Sequence, residues 1–90
     1  MFRLWAKVWK SGHMIKDMTV SNKDRSLNRT KKIFSAIEDV CTEFDLSRPI
    51  WLDNSIAEFK KHDKVRFGKD NFIDEIDFDY LEIQVIEEDE

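Results

Sequence analysis

Residues 2–20, FRLWAKVWKSGHMIKDMTV, have the pattern of a β-hairpin. Apolar side chains alternate along residues 2–10, and period-two alternation with aromatic and β-branched residues predicts a strand. Ser11-Gly12 is a turn in which Gly12 supplies a positive φ, and residues 13–20 return as a second strand. Both faces of this hairpin carry apolar residues, which favours a hairpin covered on both sides.

Two registers fit the hairpin. A two-residue loop places Trp9 opposite Met14, but it also places Lys7 opposite Lys16. A three-residue loop places Lys7 opposite Asp17, which is electrostatically better because like charges directly opposite each other destabilise a strand pair. The sequence leaves this choice open.

The main helix is predicted over residues 26–44. Asp24 or Ser26 can serve as its N-cap. Seven apolar residues then follow the three-and-four spacing of one helix face: Leu27, Ile33, Phe34, Ile37, Val40, Cys41 and Phe44. Because Cys41 belongs to this apolar stripe, we expect it to pack in the core and not to act as a nucleophile.

A second, short helix is predicted to begin with a capping box and to end near residue 61. Ser55 would be its N-cap and Glu58 its N3 residue, and the helix would bury Ile56 and Phe59. The apolar run 49–52 before it should be buried and extended.

The last third of the chain predicts further strands. Residues 65–67 are a short strand that ends near Gly68, and residues 80–87 alternate, with Leu81, Ile83 and Val85 facing inward. Strands at both ends of the order and helices between them predict one α+β domain over residues 1–86, with an antiparallel or mixed sheet. Residues 87–90 would form an acidic tail.

Charge is separated along the chain. All 15 basic residues lie in positions 1–69, whose net charge is +6, whereas positions 70–90 contain ten acidic residues and no base. Such an asymmetry indicates an anion-binding surface, an acidic interaction segment, or two parts that neutralise each other. We expect the last strand to lie beside the hairpin, with Glu82 near Arg3, Lys7 or Lys16.

Composition excludes several classes of site. One cysteine cannot form an intramolecular disulfide, and two separated glycines cannot form a P-loop or a dinucleotide-binding turn. Arg3, Lys7 and Lys10 interrupt every apolar run near the start, so no signal peptide is expected. No stretch approaches the apolar length of a membrane span, and the cytoplasm is the default location. His13 and His62 lack a recognisable catalytic partner and are expected at the surface.

The first candidate site is a basic face of the main helix. Arg25, Arg29 and Lys32 follow helical spacing opposite the apolar stripe, where like charges repel by roughly 0.2–0.5 kcal/mol per pair. Helix stability does not favour this arrangement, so a site for phosphate or for an acidic partner is one interpretation. A solvated face that tolerates a small penalty is the simpler one.

The second candidate is aromatic. Trp5 and Trp9 alternate with basic residues on one side of the first strand, a pattern by which some folds hold single-stranded nucleic acid. The acidic sequence pI of about 5.2 argues against a dedicated nucleic-acid binder. Burial of the two indoles under helices or in a dimer interface is the favoured interpretation.

The third candidate is the acidic segment near the last strand. Closely spaced carboxylates can hold Mg²⁺ or Ca²⁺. This segment lacks the spacing of a calcium-binding loop, so structural or solvated acids are favoured over a metal site, and no cofactor is expected. The carboxylates concerned are Asp74, Glu75, Asp77, Asp79 and Glu82.

Four short motifs together resemble a group of small bacterial proteins of unknown function. The motifs are residues 49–52 (PIWL), 58–60 (EFK), 65–67 (VRF) and 78–83 (FDYLEI). The resemblance implies a bacterial, cytoplasmic, stand-alone domain of about this length. It implies no activity, cofactor or site.

The sequence thus favours a small, non-catalytic domain for protein interaction or regulation, which associates with itself, for example as a homodimer, or with a protein partner. Excess aromatic residues for a small core and the separated charge support this hypothesis. A nucleic-acid-associated protein that uses the basic helix and the hairpin is the alternative. A metal-dependent enzyme that uses the acidic segment is the second alternative.

Overall fold

The computed structural model describes residues 1–88 and has an α+β fold, as the sequence predicts. Its four strands form one open antiparallel sheet in the order β2-β1-β4-β3. The strands are β1 (Phe2–Lys10), β2 (His13–Asn22), β3 (Lys64–Phe67) and β4 (Tyr80–Glu87). Helices α1 (Arg29–Phe44) and α2 (Asp53–His62) follow the hairpin in the chain, and a single 3₁₀ turn (Lys69–Asn71) follows β3.

The core lies between one face of the sheet and the inner sides of the helices. Alternate residues of β1 and β4 point into it, which confirms the predicted strand faces, and Cys41 packs there as predicted. Among residues 1–88, no helix covers the opposite face of the sheet, so the expectation of a hairpin covered on both sides is wrong. The buried core residues include Phe2, Leu4, Ala6, Val8, Ile33, Ala36, Ile37, Val40, Cys41, Phe59, Val65, Phe67, Leu81 and Ile83.

The hairpin contains both predicted registers. Next to the turn, Trp9 pairs with Met14, as a two-residue loop requires. Beyond a β-bulge the pairing shifts by one residue, and Lys7 pairs with Asp17. The bulge therefore allows a tight turn and also avoids opposing two lysines, because it changes register between them.

The turn itself has the predicted left-handed backbone. Ser11 has φ 53° and Gly12 has φ 78°, and two consecutive positive φ values are the mark of a type I′ turn. The Ser11 N–H donates to Asp79 Oδ2 at 2.8 Å. This hydrogen bond ties the turn to the segment that precedes β4.

Helix α1 begins three residues later than predicted. Its N-cap is Asn28, whose side-chain oxygen accepts from the Lys31 N–H at 2.9 Å. Asp24 instead accepts from the backbone N–H of Ser26 at 2.9 Å, and this local turn uses the side chain that was predicted to cap the helix. The predicted N-caps Asp24 and Ser26 are therefore wrong.

The predicted capping box of the second helix is also wrong. Helix α2 begins at Asp53 after Leu52, which provides no side-chain cap. Ser55 is buried within the helix and accepts from Asn71 Nδ2 at 3.0 Å. Glu58 accepts from the backbone N–H of Arg66 at 3.3 Å. Both side chains have tertiary partners in place of the helix end.

Asn71 fixes the segment 49–52 that precedes α2. The Ile50 N–H donates to the Asn71 carbonyl oxygen at 2.6 Å, and Asn71 Nδ2 donates to the Ile50 carbonyl oxygen at 2.9 Å. Within this segment Pro49 is buried, but Ile50 and Leu52 are exposed, as is Ile56 in α2. The predicted burial of these three apolar residues is wrong: within the segment it is Pro49 and Trp51 that pack toward the core, and Ile50 and Leu52 stay at the surface.

The first two residues of the predicted acidic tail have partners in the fold. Glu87 is the last residue of β4, and its carboxylate pairs with Arg3 at 3.5 Å. Glu88 pairs with Arg29. The other two residues of the predicted acidic tail, 89 and 90, lie outside the described residues. Within residues 1–88, no helix has the length and apolar character needed to cross a membrane.

Candidate interaction surfaces

The open face of the sheet carries a charged cluster centred on Glu82. Lys7 Nζ lies 3.0 Å from Glu82 Oε1, and Arg66 Nε lies 3.0 Å from Glu82 Oε2. Lys7 also donates to Gln84 Oε1 at 3.2 Å. Only 7% of Lys7 and 3% of Glu82 is exposed, because neighbouring side chains on the sheet cover them. The prediction that Glu82 lies near a base of the hairpin is confirmed by Lys7.

This cluster holds Glu82 ionised. Burial acts to raise the pKa of Glu82, but hydrogen bonds from Lys7 and Arg66 outweigh it and lower the pKa below the usual glutamate value. The Glu82 hydrogen bond in turn raises the pKa of Arg66. A carboxylate held ionised by two cations suits a structural role better than proton transfer near neutral pH.

Trp5 and Trp9 flank the cluster on the same open face. The Trp5 indole Nε1 donates to Asp17 Oδ2 at 2.9 Å, and Lys7 Nζ lies 4.0 Å from the centroid of the Trp5 ring. The Trp9 and Tyr80 rings lie 6.4 Å apart. Within residues 1–88, no helix covers the two half-buried indoles, and the buried Trp9 Nε1 has no hydrogen-bond partner.

Three positive charges of the open face already have carboxylate partners. Lys7 and Arg66 share Glu82, and Arg3 pairs with Glu87. A surface that binds phosphates needs cations whose charge is available to the ligand. Because these three cations are paired within the molecule, the charge on the open face does not favour binding of a nucleic acid.

The three basic residues predicted to share a helix face do not share one. Arg25 is exposed in the loop before α1, so helical spacing does not relate it to the others. Arg29 donates through Nη2 to Asp63 Oδ1 at 2.7 Å and through Nε to Glu88. Lys32 is buried, and its charge helps to lower the pKa of Asp24, after the larger effect of hydrogen bonds from Ser26.

An apolar groove lies on the helix side of the molecule, and Arg29 of the predicted basic face is one of the residues that line it. The groove has two depressions of about 320 and 550 Å³, and Phe34 and Trp51 line both of them. Their rings meet edge to face with centroids 6.1 Å apart. We call this surface the helix groove; its walls are Ile33, Phe34, Trp51, Ile56 and Phe59, and its rim includes Lys31, Arg48 and Lys60.

The helix groove combines exposed apolar surface with available positive charge. Phe34 is 51% exposed although it belongs to the predicted apolar stripe of α1. Neither Lys31 nor Lys60 forms an ion pair with another of residues 1–88. Arg48 forms only a long, exposed pair with Glu38 at 3.9 Å. An apolar groove with such a rim is suited to a ligand that is both apolar and acidic.

The predicted acidic segment forms a loop between the 3₁₀ turn and β4, and we call residues 72–79 the acidic loop. No group of three or more His, Cys, Asp or Glu residues in the described part of the chain is arranged to hold a metal ion. Asp79 accepts from the hairpin turn, and Glu82 belongs to the cluster with Lys7. A third depression, of about 680 Å³, lies between this loop and the end of α1.

The remaining candidate nucleophile and bases take unremarkable positions. Cys41 is buried, and burial raises the pKa of its thiol, which keeps the less reactive protonated form at neutral pH. His13 and His62 are both exposed, as predicted.

In comparisons with known proteins, no protein-family model, no curated protein and no solved structure matches the chain.

Proposed function

We propose that this chain is a small, non-catalytic interaction domain that binds an apolar and acidic protein segment in the helix groove. The observation that carries the proposal is the exposure of Phe34 beside Trp51, within a rim of lysines that have no carboxylate partner among residues 1–88. Aromatic side chains at the centre of a surface depression are typical anchors of protein interfaces. Rim charges select the partner and its orientation.

The location and origin are part of the same proposal. A single buried cysteine suits a reducing compartment such as the cytoplasm. The resemblance of residues 49–52, 58–60, 65–67 and 78–83 to small bacterial proteins supports a bacterial origin.

A peptide selection tests the proposed function. A library of random peptides displayed on phage is selected against the wild-type domain, and the enriched peptides are then tested on variants. We expect enriched sequences to combine aliphatic residues with Asp or Glu. Phe34→Glu should abolish their binding, and Lys31→Glu with Lys60→Glu should weaken it, because these changes remove the apolar wall and reverse the rim charge.

The matched control is Met14→Glu. Met14 is also exposed and apolar, but it lies in β2 opposite Trp9 on the open sheet face. Binding should be unchanged in this variant. Peptides that bind Phe34→Glu as well as wild type, or that lose binding to Met14→Glu instead, would contradict the helix groove as the site.

A further inference from the structure

We infer that the segment bound in the helix groove is the acidic loop of a second copy of this chain, so that copies associate head to tail. This inference rests on the proposed function and names its partner. Ile73 in the acidic loop is 84% exposed, the largest exposed fraction among the large apolar side chains of residues 1–88. Its neighbours Asp70, Asp74 and Glu75 are all exposed acids.

The loop presents Ile73 on an ordered backbone. Two buried residues directly precede it: Asn71, which is hydrogen-bonded to Ile50 and Ser55, and Phe72. The Phe72 ring meets the ring of Phe78, beyond Ile73 in the loop, edge to face with centroids 6.1 Å apart. A loop whose backbone is ordered before binding loses less conformational entropy when its side chain docks, so the apolar surface of that side chain contributes more fully to affinity.

The two surfaces complement each other in charge. Residues 70–79 contain five acids and no base, whereas the charged residues that line the helix groove are four bases, Arg29, Lys31, Arg48 and Lys60, and one acid, Glu38. Within one copy the groove is not filled by Ile73, because Ile73 is exposed to solvent. A second copy brings the acidic and basic surfaces together, and burying Ile73 between Phe34 and Ile56 removes apolar surface from water.

Such a contact is heterologous, because it joins two different surfaces. Each copy in an assembly would use its helix groove for one neighbour and its acidic loop for another. Heterologous contacts close into rings or extend into filaments, depending on the rotation between copies. A contact of this kind also allows two defective variants to complement each other, which an isologous dimer does not.

Sedimentation velocity over a concentration series up to millimolar protein tests the inference. We expect the wild type to associate, and we expect Ile73→Asp and Phe34→Asp each to weaken association at least about tenfold, because each removes one half of the apolar contact. Ile86→Asp is the matched control, since Ile86 is also exposed but lies in β4. Circular dichroism verifies that every variant is folded.

Mixing the two variants gives the sharpest result. Ile73→Asp keeps its groove and Phe34→Asp keeps its loop, so an equimolar mixture should form one heterodimer and nothing larger. Association should weaken between 0.1 and 1 M salt, because the Debye length falls from about 10 Å to about 3 Å.

Three outcomes would overturn the inference: a wild type that stays monomeric at millimolar concentration, association that persists in both variants, or a mixture that forms no heterodimer. The first of these leaves the proposed function standing if acidic peptides still bind the groove. Failure of the peptide selection together with a monomeric wild type would remove both.

Discussion

Lys7 Nζ lies 3.0 Å from Glu82 Oε1, and the two residues are directly opposite each other where β1 pairs with β4. The pair joins the strand that comes first in the chain to the strand that comes last, and so joins the basic part of the chain to the acidic part. A slip of one residue would turn Glu82 toward the apolar core and leave Lys7 without its partner. The ion pair therefore specifies the register of the two central strands.

Removal of the Glu82 carboxylate should be costly. We expect Glu82→Ala to lower the free energy of unfolding by about 3 kcal/mol, because the buried charge of Lys7 loses its carboxylate partner. Arg66→Ala should cost less than about 1 kcal/mol, since 54% of the Arg66 side chain is exposed. Urea denaturation measures both.

Two further variants serve as controls for this comparison. Glu38→Ala breaks the exposed pair with Arg48 and should have almost no effect. The double variant Lys7→Met with Glu82→Leu removes both charges and should regain most of the loss. Equal losses for Glu82→Ala and Arg66→Ala would mean that burial of the pair contributes nothing.

The same carboxylate should make stability depend on pH. Because the pKa of Glu82 is lower in the folded chain than its usual value of 4.5, its contribution is fully present above that value. The contribution is lost as the pH falls through the folded-state pKa. We therefore expect wild type and Glu82→Gln to differ most near neutral pH and to converge in acid, as measured by urea denaturation across pH 2–7.

Asp24 is the control for the pH experiment. Its pKa is also lowered, by hydrogen bonds from Ser26, so Asp24→Asn reports how much of the acid sensitivity arises elsewhere. A difference between wild type and Glu82→Gln that stays constant with pH would show that the lowered pKa of Glu82 has no part in it.

Asn71 should be important for the helix groove although it does not line it. Asn71→Ala removes the side-chain hydrogen bonds to Ile50, Ser55 and Gly68. We expect a loss of about 2 kcal/mol in unfolding free energy, because buried partners are left unsatisfied. The fluorescence of Trp51 should also change in the folded state, as its segment loosens.

Asn54→Ala is the matched control for this variant, because Asn54 is exposed in α2. It should have little effect on stability or fluorescence. If the two alanine variants are equally stable, Asn71 is not the anchor of residues 49–52.

The hairpin turn offers a stabilising change. Ser11 adopts a positive φ, for which Asn is better suited, and Asn-Gly is the favoured type I′ pair. Ser11→Asn should raise the free energy of unfolding by about 0.5 kcal/mol. Gly12→Ala should lower it by about 1 kcal/mol through backbone strain alone, since an added Cβ meets no atom within 4 Å. Thermal or urea denaturation measures both changes in stability. A Ser11→Asn variant less stable than wild type would contradict the turn assignment.

Local patterns predict most of the fold. Alternation and the Ser11-Gly12 turn identify the hairpin, and the inward positions of Leu81 and Ile83 identify the last strand, because side-chain period two is a property of the strand itself. The Lys7–Glu82 contact was predictable for a different reason. The basic residues lie in the first part of the chain and the acidic segment lies in the last part. Pairing of the first strand with the last strand therefore brings opposite charges together.

The helix starts and the groove were not predictable in the same way. Ser55 and Glu58 match a capping box, but their partners Asn71 and Arg66 are 16 and 8 residues away and are brought close only by the fold. Phe34 fits the apolar stripe of α1, so periodicity alone does not predict that its side chain lies at the exposed edge of that stripe. The available signal was the width of the apolar stripe, which is greater than a helix needs to pack against a single neighbouring layer.

The β-bulge of the hairpin has a consequence for insertions and deletions. Ile15 is the residue of β2 that has no partner in β1 between Met14 and Lys16. Loss of a single residue elsewhere in a strand turns every following side chain to the wrong face. Loss of Ile15 would instead convert the bulge into a regular ladder and leave Asp17 on the same face as Lys7. The hairpin thus has one position at which its length can change by one residue while both faces of the sheet keep their composition.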